Sequence, residues 1–242
     1  RSDGVAHVGW RRAEAYYKMA SALAPPGVIL MRGRHAAASD ATVHGATSSA
    51  YCHRDTMRIF QLILAPRLSG AEMLVKGIAI DHQQSGHSVC IASLLPAHGD
   101  FAPSAGELAA HRVTCVFPSR HYEKLGRLLF LYRAIRRFKP DVIFAHATIP
   151  ALYVRALPVR VPIVWVMHSG VNDFQDNRLQ RAERLLSLRA KAVIGVSQKN
   201  VDEYRSAIGG HPALIVVPNG VDAERFRHRE SVRGPRGEAC ST

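Results

Sequence analysis

The sequence lacks any long apolar run. No stretch of its 242 residues approaches the roughly 20 consecutive apolar residues that a membrane-spanning helix needs. Met19–Met31 is apolar, but Pro25 and Pro26 interrupt it and basic residues lie on both sides, which does not match a secretory signal. We therefore expect the chain to lie in the cytoplasm.

Cysteine is scarce, and its spacing excludes the common metal motifs. The four cysteines form no CxxC pair, and no His/Cys spacing resembles a zinc site. Cys90 and Cys115 lie in apolar, strand-like runs, where we expect buried free thiols that behave as small hydrophobic residues. Free thiols agree with a reducing cytoplasm.

Aromatic residues make up only 7% of the chain, and no RRM, KH or zinc-finger pattern occurs. We therefore do not expect nucleic acid as a partner. The formal net charge of +13 and the pI near 10.2 instead favour other anions, such as nucleotide phosphates, acidic glycans and anionic lipid head groups.

The two ends of the chain lack the periodicity of regular structure. Residues 1–56 are dominated by Ala, Ser, Gly, His and Arg, and Met57 directly precedes the first strand-like run. We expect residues 1–56 to be a disordered extension, or sequence upstream of the natural start. Residues 227–242 form an irregular tail rich in Arg and Gly. The folded domain is therefore expected at 57–226.

Strand-like and helical patterns alternate within this domain. The predicted strands are 58–65, 88–94, 113–117, 141–145, 161–167, 192–196 and 213–217. The predicted helices are 70–84, 120–138, 173–191 and 200–208, with a loop at 96–110. Uniformly apolar strands interleaved with helices predict an α/β fold, a doubly wound and mostly parallel sheet of the Rossmann-like type. Such sheets bind ligands at the carboxyl ends of their strands.

The helix predicted at 120–138 is amphipathic and strongly basic. Its apolar side carries Leu125, Leu128, Leu129, Tyr132 and Ile135. Its other side carries Lys124, Arg127, Arg133, Arg136 and Arg137. We favour packing of the apolar side on the sheet, with the basic side in solvent. The alternative is a helix that lies on an anionic membrane, with its long basic side chains at the head groups.

The first strand–helix connection, SGAE at 69–72, places Gly70 at the start of a helix. Glycine lets a bulky ligand approach the backbone, and the unpaired N–H groups of a helix N-terminus favour a phosphate. The chain has no GxxxxGK[ST] motif, so a simple turn without a ligand is the alternative.

Two histidines follow predicted strands that are successive in the chain. His146 ends the fourth strand and His168 ends the fifth. Because the carboxyl ends of parallel strands meet at one edge of a sheet, both histidines are expected to face the ligand crevice. There each could bond a sugar hydroxyl or a phosphate, or act as an acid or base. The alternative is a histidine that is bonded to a neighbouring backbone carbonyl.

Taken together, these segments resemble the N-terminal domain of a family 4 glycosyltransferase, a family with two facing Rossmann-like domains (the GT-B architecture). The matching segments, in chain order, are MRIF at 57–60, SGAE at 69–72, GHSV at 86–89, KPDVIFAH at 139–146, PIVWVMH at 162–168, AVIGVS at 192–197 and VPNGVDAERF at 217–226.

The resemblance implies that this domain binds the acceptor, a sugar or a lipid-linked glycan, and that a C-terminal domain binds a nucleotide-sugar donor. It also implies transfer with retention of configuration, without a metal or a bound cofactor. His168 matches a crevice histidine that contacts the transferred sugar, and it is our candidate catalytic residue. His146 matches a second histidine, which lines the acceptor side.

The resemblance implies further substrate-binding positions in the loops at the strand ends. Gly70, with Ser69 and Glu72, matches the loop that approaches the donor diphosphate and the acceptor. Ser197 directly follows the sixth strand, as the last residue of the matching segment AVIGVS. Asn219, in the tight turn predicted at 218–222, matches the segment that leads to the interdomain linker.

The chain also departs from the family pattern. Ser69-Gly70 stands where the family has paired glycines, and the E-x7-E carboxylates of the donor domain are absent. The tail from His228 does not resemble the start of that domain. We therefore expect the C-terminal donor domain to be missing, through truncation or a shifted reading frame, and the isolated chain to be inactive.

Three functions remain open from the sequence. The first is half of a glycosyltransferase that acts in the synthesis of a cell-surface polysaccharide or glycolipid, at the inner face of the plasma membrane. The second is a sugar-nucleotide epimerase of the same architecture, which the carboxylates of a following domain would distinguish. The third is a non-catalytic module that binds an acceptor or an anionic membrane.

Overall fold

The structure of the protein is a computed structural model that describes residues 56–168 and 173–218. Nearly all of the predicted N-terminal extension, the segment after Pro218 and the tail lie outside these ranges. The described residues form one sheet of seven parallel strands with helices on its faces. This confirms the predicted α/β class.

The elements lie close to their predicted positions. The strands are β1 (Arg58–Ile63), β2 (Ser88–Ser93), β3 (Thr114–Val116), β4 (Val142–His146), β5 (Ile163–Met167), β6 (Ala192–Gly195) and β7 (Leu214–Val216). The α-helices are α1 (Gly70–Gln84), α2 (Ala102–Ala110), α3 (Lys124–Phe138), α4 (Thr148–Ala156), α5 (Asn177–Leu186) and α6 (Gln198–Ala207). Short 3-10 turns lie at Gly99–Phe101, Asp173–Gln175 and Ser187–Arg189.

Two helices were not predicted from the sequence. Helix α2 occupies the predicted loop, and α4 lies in a connection where no element was expected. Each has a proline in its first turn, Pro103 in α2 and Pro150 in α4, where a helix needs no backbone N–H from that residue. The buried Leu108 and Val154 dock both helices on the sheet. The helix predicted at 173–191 is also interrupted, since 3-10 turns flank α5.

The sheet is doubly wound, with strand order β3-β2-β1-β4-β5-β6-β7. Helices α1 and α2 contribute to the hydrophobic cluster on one face, and α3, α4 and α6 contribute to the cluster on the other. The chain crosses from one face of the sheet to the other between β3 and β4. The strand order therefore reverses between β1 and β4, which is the switch point where sheets of this type form a ligand crevice.

The two described cysteines differ in their environments. Cys90 on β2 is buried, as predicted, and burial raises the pKa of its thiol to about 12. The prediction was wrong for Cys115, which is exposed. It lies on β3, a short strand at the edge of the sheet that pairs on one side with β2.

Helix α3 is oriented differently from the prediction. Its core-facing row consists of Leu128, Leu131, Ile135 and Phe138, which have the i, i+3, i+7 spacing of one helix face. Leu125 and Leu129 were predicted to pack inward but are 79% and 49% exposed. The outer face of α3 is therefore formed by Leu125 and Leu129 in its first half and by Arg133, Arg136 and Arg137 in its second half.

A buried ion pair ties α4 to α5 and α6. Arg155 Nη1 donates to Glu183 Oε1 at 2.9 Å, and Arg155 Nε donates to the carbonyl oxygen of Ala151 at 3.0 Å. The hydroxyl of Tyr204 donates to the same Glu183 oxygen at 3.0 Å. The guanidinium of Arg155 also lies 4.9 Å from the ring centroid of Trp165. We call these four side chains, Arg155, Glu183, Tyr204 and Trp165, the ion-pair cluster.

Candidate active site

Most of the predicted site residues lie at the carboxyl ends of four neighbouring strands. Gly70 begins α1 after β1, His146 is the last residue of β4, His168 follows β5, and Ser197 follows β6. This edge contains the switch point between β1 and β4, where open α/β sheets bind ligands. Asn219 lies outside the described residues.

The two histidines form a direct pair. His146 Nδ1 lies 2.8 Å from His168 Nε2, and the rings stack with their centroids 5.0 Å apart. His146 is buried, whereas His168 is partly exposed. Among residues 56–168 and 173–218, neither imidazole has the backbone carbonyl partner that was the alternative prediction. The second nitrogen of His146 contacts a side-chain amide, and His168 Nδ1 is buried without a partner among the described residues.

Both imidazoles are neutral at physiological pH. Burial, followed by the nearby His168, holds the pKa of His146 well below its ordinary value of 6.5. Burial lowers the pKa of His168 to about 4. A neutral imidazole offers one hydrogen-bond donor and one acceptor but no positive charge. The pair is therefore suited to bonding hydroxyl groups rather than to neutralising a diphosphate.

Gln61 is part of this site, and it was missed in the sequence. Its Oε1 lies 2.7 Å from His146 Nε2, and its side chain is fully buried in the middle of β1. The signal was present, since Gln61 is the one polar residue in the apolar run IFQLIL at 59–64. Gln61, His146 and His168 together form the histidine chain, a name we use below.

Backbone strain occurs next to this chain. Ala147 has φ 72° and ψ 168°, a region that is essentially reserved for glycine and costs on the order of 1–3 kcal/mol. Its N–H donates to the carbonyl oxygen of Val166 at 2.9 Å. Ala147 is also the N-cap residue of α4. The strained turn between β4 and α4 therefore sets the direction in which the preceding His146 leaves the strand.

The Gly70 turn is open. A Cβ built on Gly70 would meet no atom within 4 Å, so the fold itself does not require glycine there. Ser69 donates a hydrogen bond to Glu72, and Arg67 Nε lies 3.8 Å from Glu72 Oε1. Ser69 makes no side-chain bond to the N–H groups of the first turn of α1. Ser69 and Glu72 thus bond each other, and their contact with substrate stays a prediction.

Ser197 has a structural role in the N-terminal cap of α6. Its Oγ accepts from the N–H of Asn200 at 3.3 Å and donates to Asn200 Oδ1 at 2.9 Å. A Cβ on Gly195 would lie 2.8 Å from Val201 Cγ2, so glycine permits this close approach of α6 to β6. A substrate contact of Ser197 stays a prediction.

Within residues 56–168 and 173–218, no group of three or more His, Cys, Asp or Glu side chains could hold a metal ion. None of the helices in these ranges has the length and hydropathy required to cross a membrane.

Solved structures with a similar fold include a glycosyltransferase and a protein in complex with UDP and glucose. A glycosyltransferase from Rickettsia africae ESF-5 has a TM-score of 0.57 and 16% sequence identity, with 72% of this chain and 45% of that chain covered. Alr3699/HepE from Anabaena, in complex with UDP and glucose, has a TM-score of 0.54 and 19% identity, with 68% and 45% covered. The chain thus matches less than half the length of either structure.

No curated protein matches the chain in sequence. The family model for Glycosyltransferase Family 4 matches residues 68–225, which is well over half of the chain. The match and the fold fit the N-terminal domain of such an enzyme. The chain belongs to glycosyltransferase family 4.

Proposed function

We propose that this chain is the acceptor-binding half of a retaining glycosyltransferase that uses a nucleotide-sugar donor. Its acceptor is a sugar or a lipid-linked glycan, in the synthesis of a cell-surface polysaccharide or glycolipid at the cytoplasmic face of the membrane. The family match supports this function, and a similarly folded structure holds UDP-glucose. The shared length of less than half supports a donor-binding lobe beyond the matched region.

The observation that carries the proposal is the neutral His146–His168 pair at the switch point. Hydroxyl groups of a sugar are neutral donors and acceptors, and a neutral imidazole matches them without the desolvation cost of an ion. His168 stands at the partly exposed end of the pair, so we assign it the contact with the transferred sugar. With a pKa near 4 it is a weak base, which favours hydrogen bonding over proton abstraction.

The experiment is an assay of sugar transfer from UDP-glucose and other UDP-sugars. The chain is tested alone and with the C-terminal donor lobe of a family 4 glycosyltransferase fused to it. We expect transfer by the fusion and none by the chain alone, because the donor-binding groups are supplied by the lobe. His168→Ala should lower kcat/KM of the fusion by about 100-fold, the usual cost of one hydrogen bond made in the transition state.

His111→Ala is the matched control, because His111 follows α2 and precedes β3, at the edge of the sheet opposite to the pair. It should leave kcat/KM unchanged. Turnover by the isolated chain would contradict the need for a second lobe. Full activity of the H168A fusion would contradict the assignment of His168 to the site.

A pair of glycine substitutions tests the Gly70 turn. Gly70 and Gly77 both lie on α1, and an added Cβ meets nothing within 4 Å at either position. Each change to alanine should therefore leave the fold intact. If the donor diphosphate passes close to the turn, G70A raises KM for the UDP-sugar about ten-fold, whereas G77A has no effect. Equal KM values would contradict the role of Gly70.

The outer face of α3 supports a second function, peripheral contact with an anionic membrane. Exposed Leu125 and Leu129 lie beside Arg133 and Arg136 on one helix surface. This combination is typical of helices that insert apolar side chains between head groups while arginines contact the lipid charges. The first turn of α3 lies toward the carboxyl ends of the strands, because α3 follows β3 and runs back beneath the sheet to β4. A lipid-linked acceptor in the membrane that α3 contacts would thus lie close to the crevice.

Co-sedimentation with vesicles tests this contact. We expect binding to vesicles of phosphatidylcholine with phosphatidylglycerol, weaker binding at high salt, and none to pure phosphatidylcholine. L125S/L129S should abolish it. L185S/L188S is the matched control, because these exposed leucines also lie among arginines but at the opposite end of the strands. Membrane binding without sugar transfer by the fusion would favour the non-catalytic module over the enzyme.

A further inference from the structure

Gln61 occupies a costly position for a polar side chain. It lies in the middle of β1, between β2 and β4, and is fully buried. A buried amide group without its hydrogen bonds destabilises a protein, and Gln61 Nε2 has no partner among the described residues. Its contact with His146 through Oε1 is the bond that is made. The side chain is therefore not explained by packing.

The bonds along the histidine chain have a single direction of donation. Gln61 Oε1 is a carbonyl oxygen and only accepts, so His146 Nε2 carries the proton that joins them at 2.7 Å. A neutral His146 then has a lone pair on Nδ1. That lone pair accepts from His168 Nε2–H at 2.8 Å. A neutral His168 is left with a lone pair on Nδ1, the atom that is buried without a partner among the described residues.

The direction depends on which end of the amide faces His146. If the Gln61 amide were rotated by half a turn, its NH2 group would donate to His146 Nε2. His146 Nδ1–H would then donate to His168 Nε2, and His168 Nδ1 would carry a proton. Such a donor can bond the oxygen of a phosphate or of a hydroxyl group, whereas the lone pair can only accept, as from the O–H of a hydroxyl group. The orientation of one buried amide thus decides whether His168 Nδ1 accepts a hydrogen bond from its ligand or donates one to it.

We propose that Gln61 is a positioning residue: by accepting from His146 it fixes the direction of the histidine chain, so that the free nitrogen of His168 is the acceptor Nδ1, which a hydroxyl group of the substrate meets when it displaces the groups that bury this atom. The identification of that hydroxyl as one of a sugar rests on the proposed function. The direction of the chain does not, because it follows from the contacts among Gln61, His146 and His168.

The test is imidazole 15N NMR of the whole 242-residue chain, because protonated and lone-pair ring nitrogens give well-separated signals. In the wild type, His146 and His168 should both show a protonated Nε2 and a lone pair on Nδ1. His211 is an internal reference: its Nδ1 accepts from the N–H of Ala213 and its Nε2 contacts the carbonyl oxygen of Ala190. Its backbone partners therefore fix the same tautomer independently of the chain.

Gln61→Met removes the amide and keeps the length of the side chain. Without a fixed acceptor, both directions of donation become populated. The Nδ1 signal of His168 should then shift from the lone-pair position toward the protonated position, while His211 stays unchanged. Gln83→Met is the matched control, because Gln83 is a partly buried glutamine whose Oε1 accepts from the N–H of Val89. It should leave the signals of His146 and His168 in place.

Three outcomes would overturn the proposal. The first is an Nδ1–H tautomer of His168 in the wild type. The second is an unchanged His168 spectrum in Q61M. The third is an equal change in Q83M, which would indicate a general loss of packing. If Q61M does not fold, Gln61→Leu replaces it in the same measurement. If neither variant folds, Gln61 is a structural residue and the proposal fails.

A kinetic measurement separates this inference from the proposed function. In the fusion with a donor lobe, Q61M should lower kcat/KM about ten-fold, less than H168A, since the imidazole remains but its direction is mixed. A fusion that transfers no sugar would contradict the proposed function, while the NMR result on the chain would still stand. An active fusion with unchanged kcat/KM in Q61M would contradict the inference alone.

Discussion

Two polar clusters lie on opposite faces of the sheet, and they differ in charge and in where their unpartnered nitrogen atoms lie. The ion-pair cluster is charged, and each of the three guanidinium nitrogens of Arg155 donates to an oxygen atom. Its one buried nitrogen without a partner among the described residues is Trp165 Nε1, in the middle of β5. The histidine chain is neutral, and each of its ends has a buried nitrogen without a partner among the described residues, on Gln61 and on His168. A network whose charges are all paired holds elements together, whereas unpartnered nitrogens next to a strand-end crevice leave bonding capacity for a ligand.

The largest expected effect is in the ion-pair cluster. Arg155→Met leaves Glu183 as a buried carboxylate without its cation, so we expect the free energy of unfolding to fall by about 3–5 kcal/mol. Denaturant unfolding at pH 7 measures it. The double variant R155M/E183L should be more stable than R155M, because it leaves no buried charge. If R155M lost less than the double variant, the cluster would not be a structural tie.

A second large effect is expected on acidification, and it belongs to the face of the histidine chain. Burial and the neighbouring His87 lower the pKa of His82 to about 3, and burial lowers that of His168 to about 4, from an ordinary 6.5. The unfolded chain therefore takes up protons first as the pH falls. Each such group should reduce stability by about 1.4 kcal/mol per pH unit below pH 6.5, until its folded pKa is reached.

Unfolding measured from pH 7 down to pH 4 checks this slope. His82→Leu should make it shallower, because it removes one buried group that the unfolded state protonates. The side chain of His82 contacts Phe144 and His87, with ring centroids 6.5 Å and 6.1 Å away. An equal slope in the variant and the wild type would show that His82 is not protonated on unfolding.

A smaller gain is expected from relief of strain. Ala147→Gly should raise the free energy of unfolding by about 1 kcal/mol. Glycine adopts the backbone conformation of Ala147 without strain, and its greater conformational entropy in the unfolded chain offsets part of this gain. Thermal unfolding is the measurement. Ala151→Gly in α4 is the control and should lower stability by roughly 1 kcal/mol, because it places glycine inside an unstrained helix.

A small effect on stability is expected at the exposed end of the histidine chain, in contrast to the ion-pair cluster. His168→Ala should lower the free energy of unfolding by about 1 kcal/mol, the net worth of one hydrogen bond, because His146 Nδ1 loses its donor. The same variant is expected to lower sugar transfer strongly. A loss as large as that of R155M would make His168 a structural residue.

The sequence predicted the sheet well because its signal is local. Uniformly apolar strands and the helical spacing of Val75, Ile78 and Ala79 on α1 follow from residues near one another in the chain. The prediction failed for α2, which was expected to be a loop, for α4, where no element was expected, and for the outward leucines of α3. In these elements, the sheet contacts decide which residues form a helix and which side faces inward.

The candidate site was predicted in part. His146 and His168 were identified because each ends an apolar strand, a position visible in the sequence. Their direct contact was not, because it depends on the register of β4 against β5, in which His146 pairs with Val166. Gln61 and the partnership of Arg155 with Glu183 were missed for the same reason, since each joins residues that are distant in the chain.

The amino-acid sequence by itself determined the order of strands and helices, the parallel sheet and the presence of histidines at its strand ends, because apolar periodicity acts over a few residues. The tertiary structure alone decided how the polar groups pair. It brought Gln61 of β1 beside His146 of β4 across 85 positions of sequence, and Arg155 beside Glu183. Such pairing depends on strand register and helix packing. Because a buried group cannot bond water instead, the direction of each buried hydrogen bond decides which atoms are left without a partner.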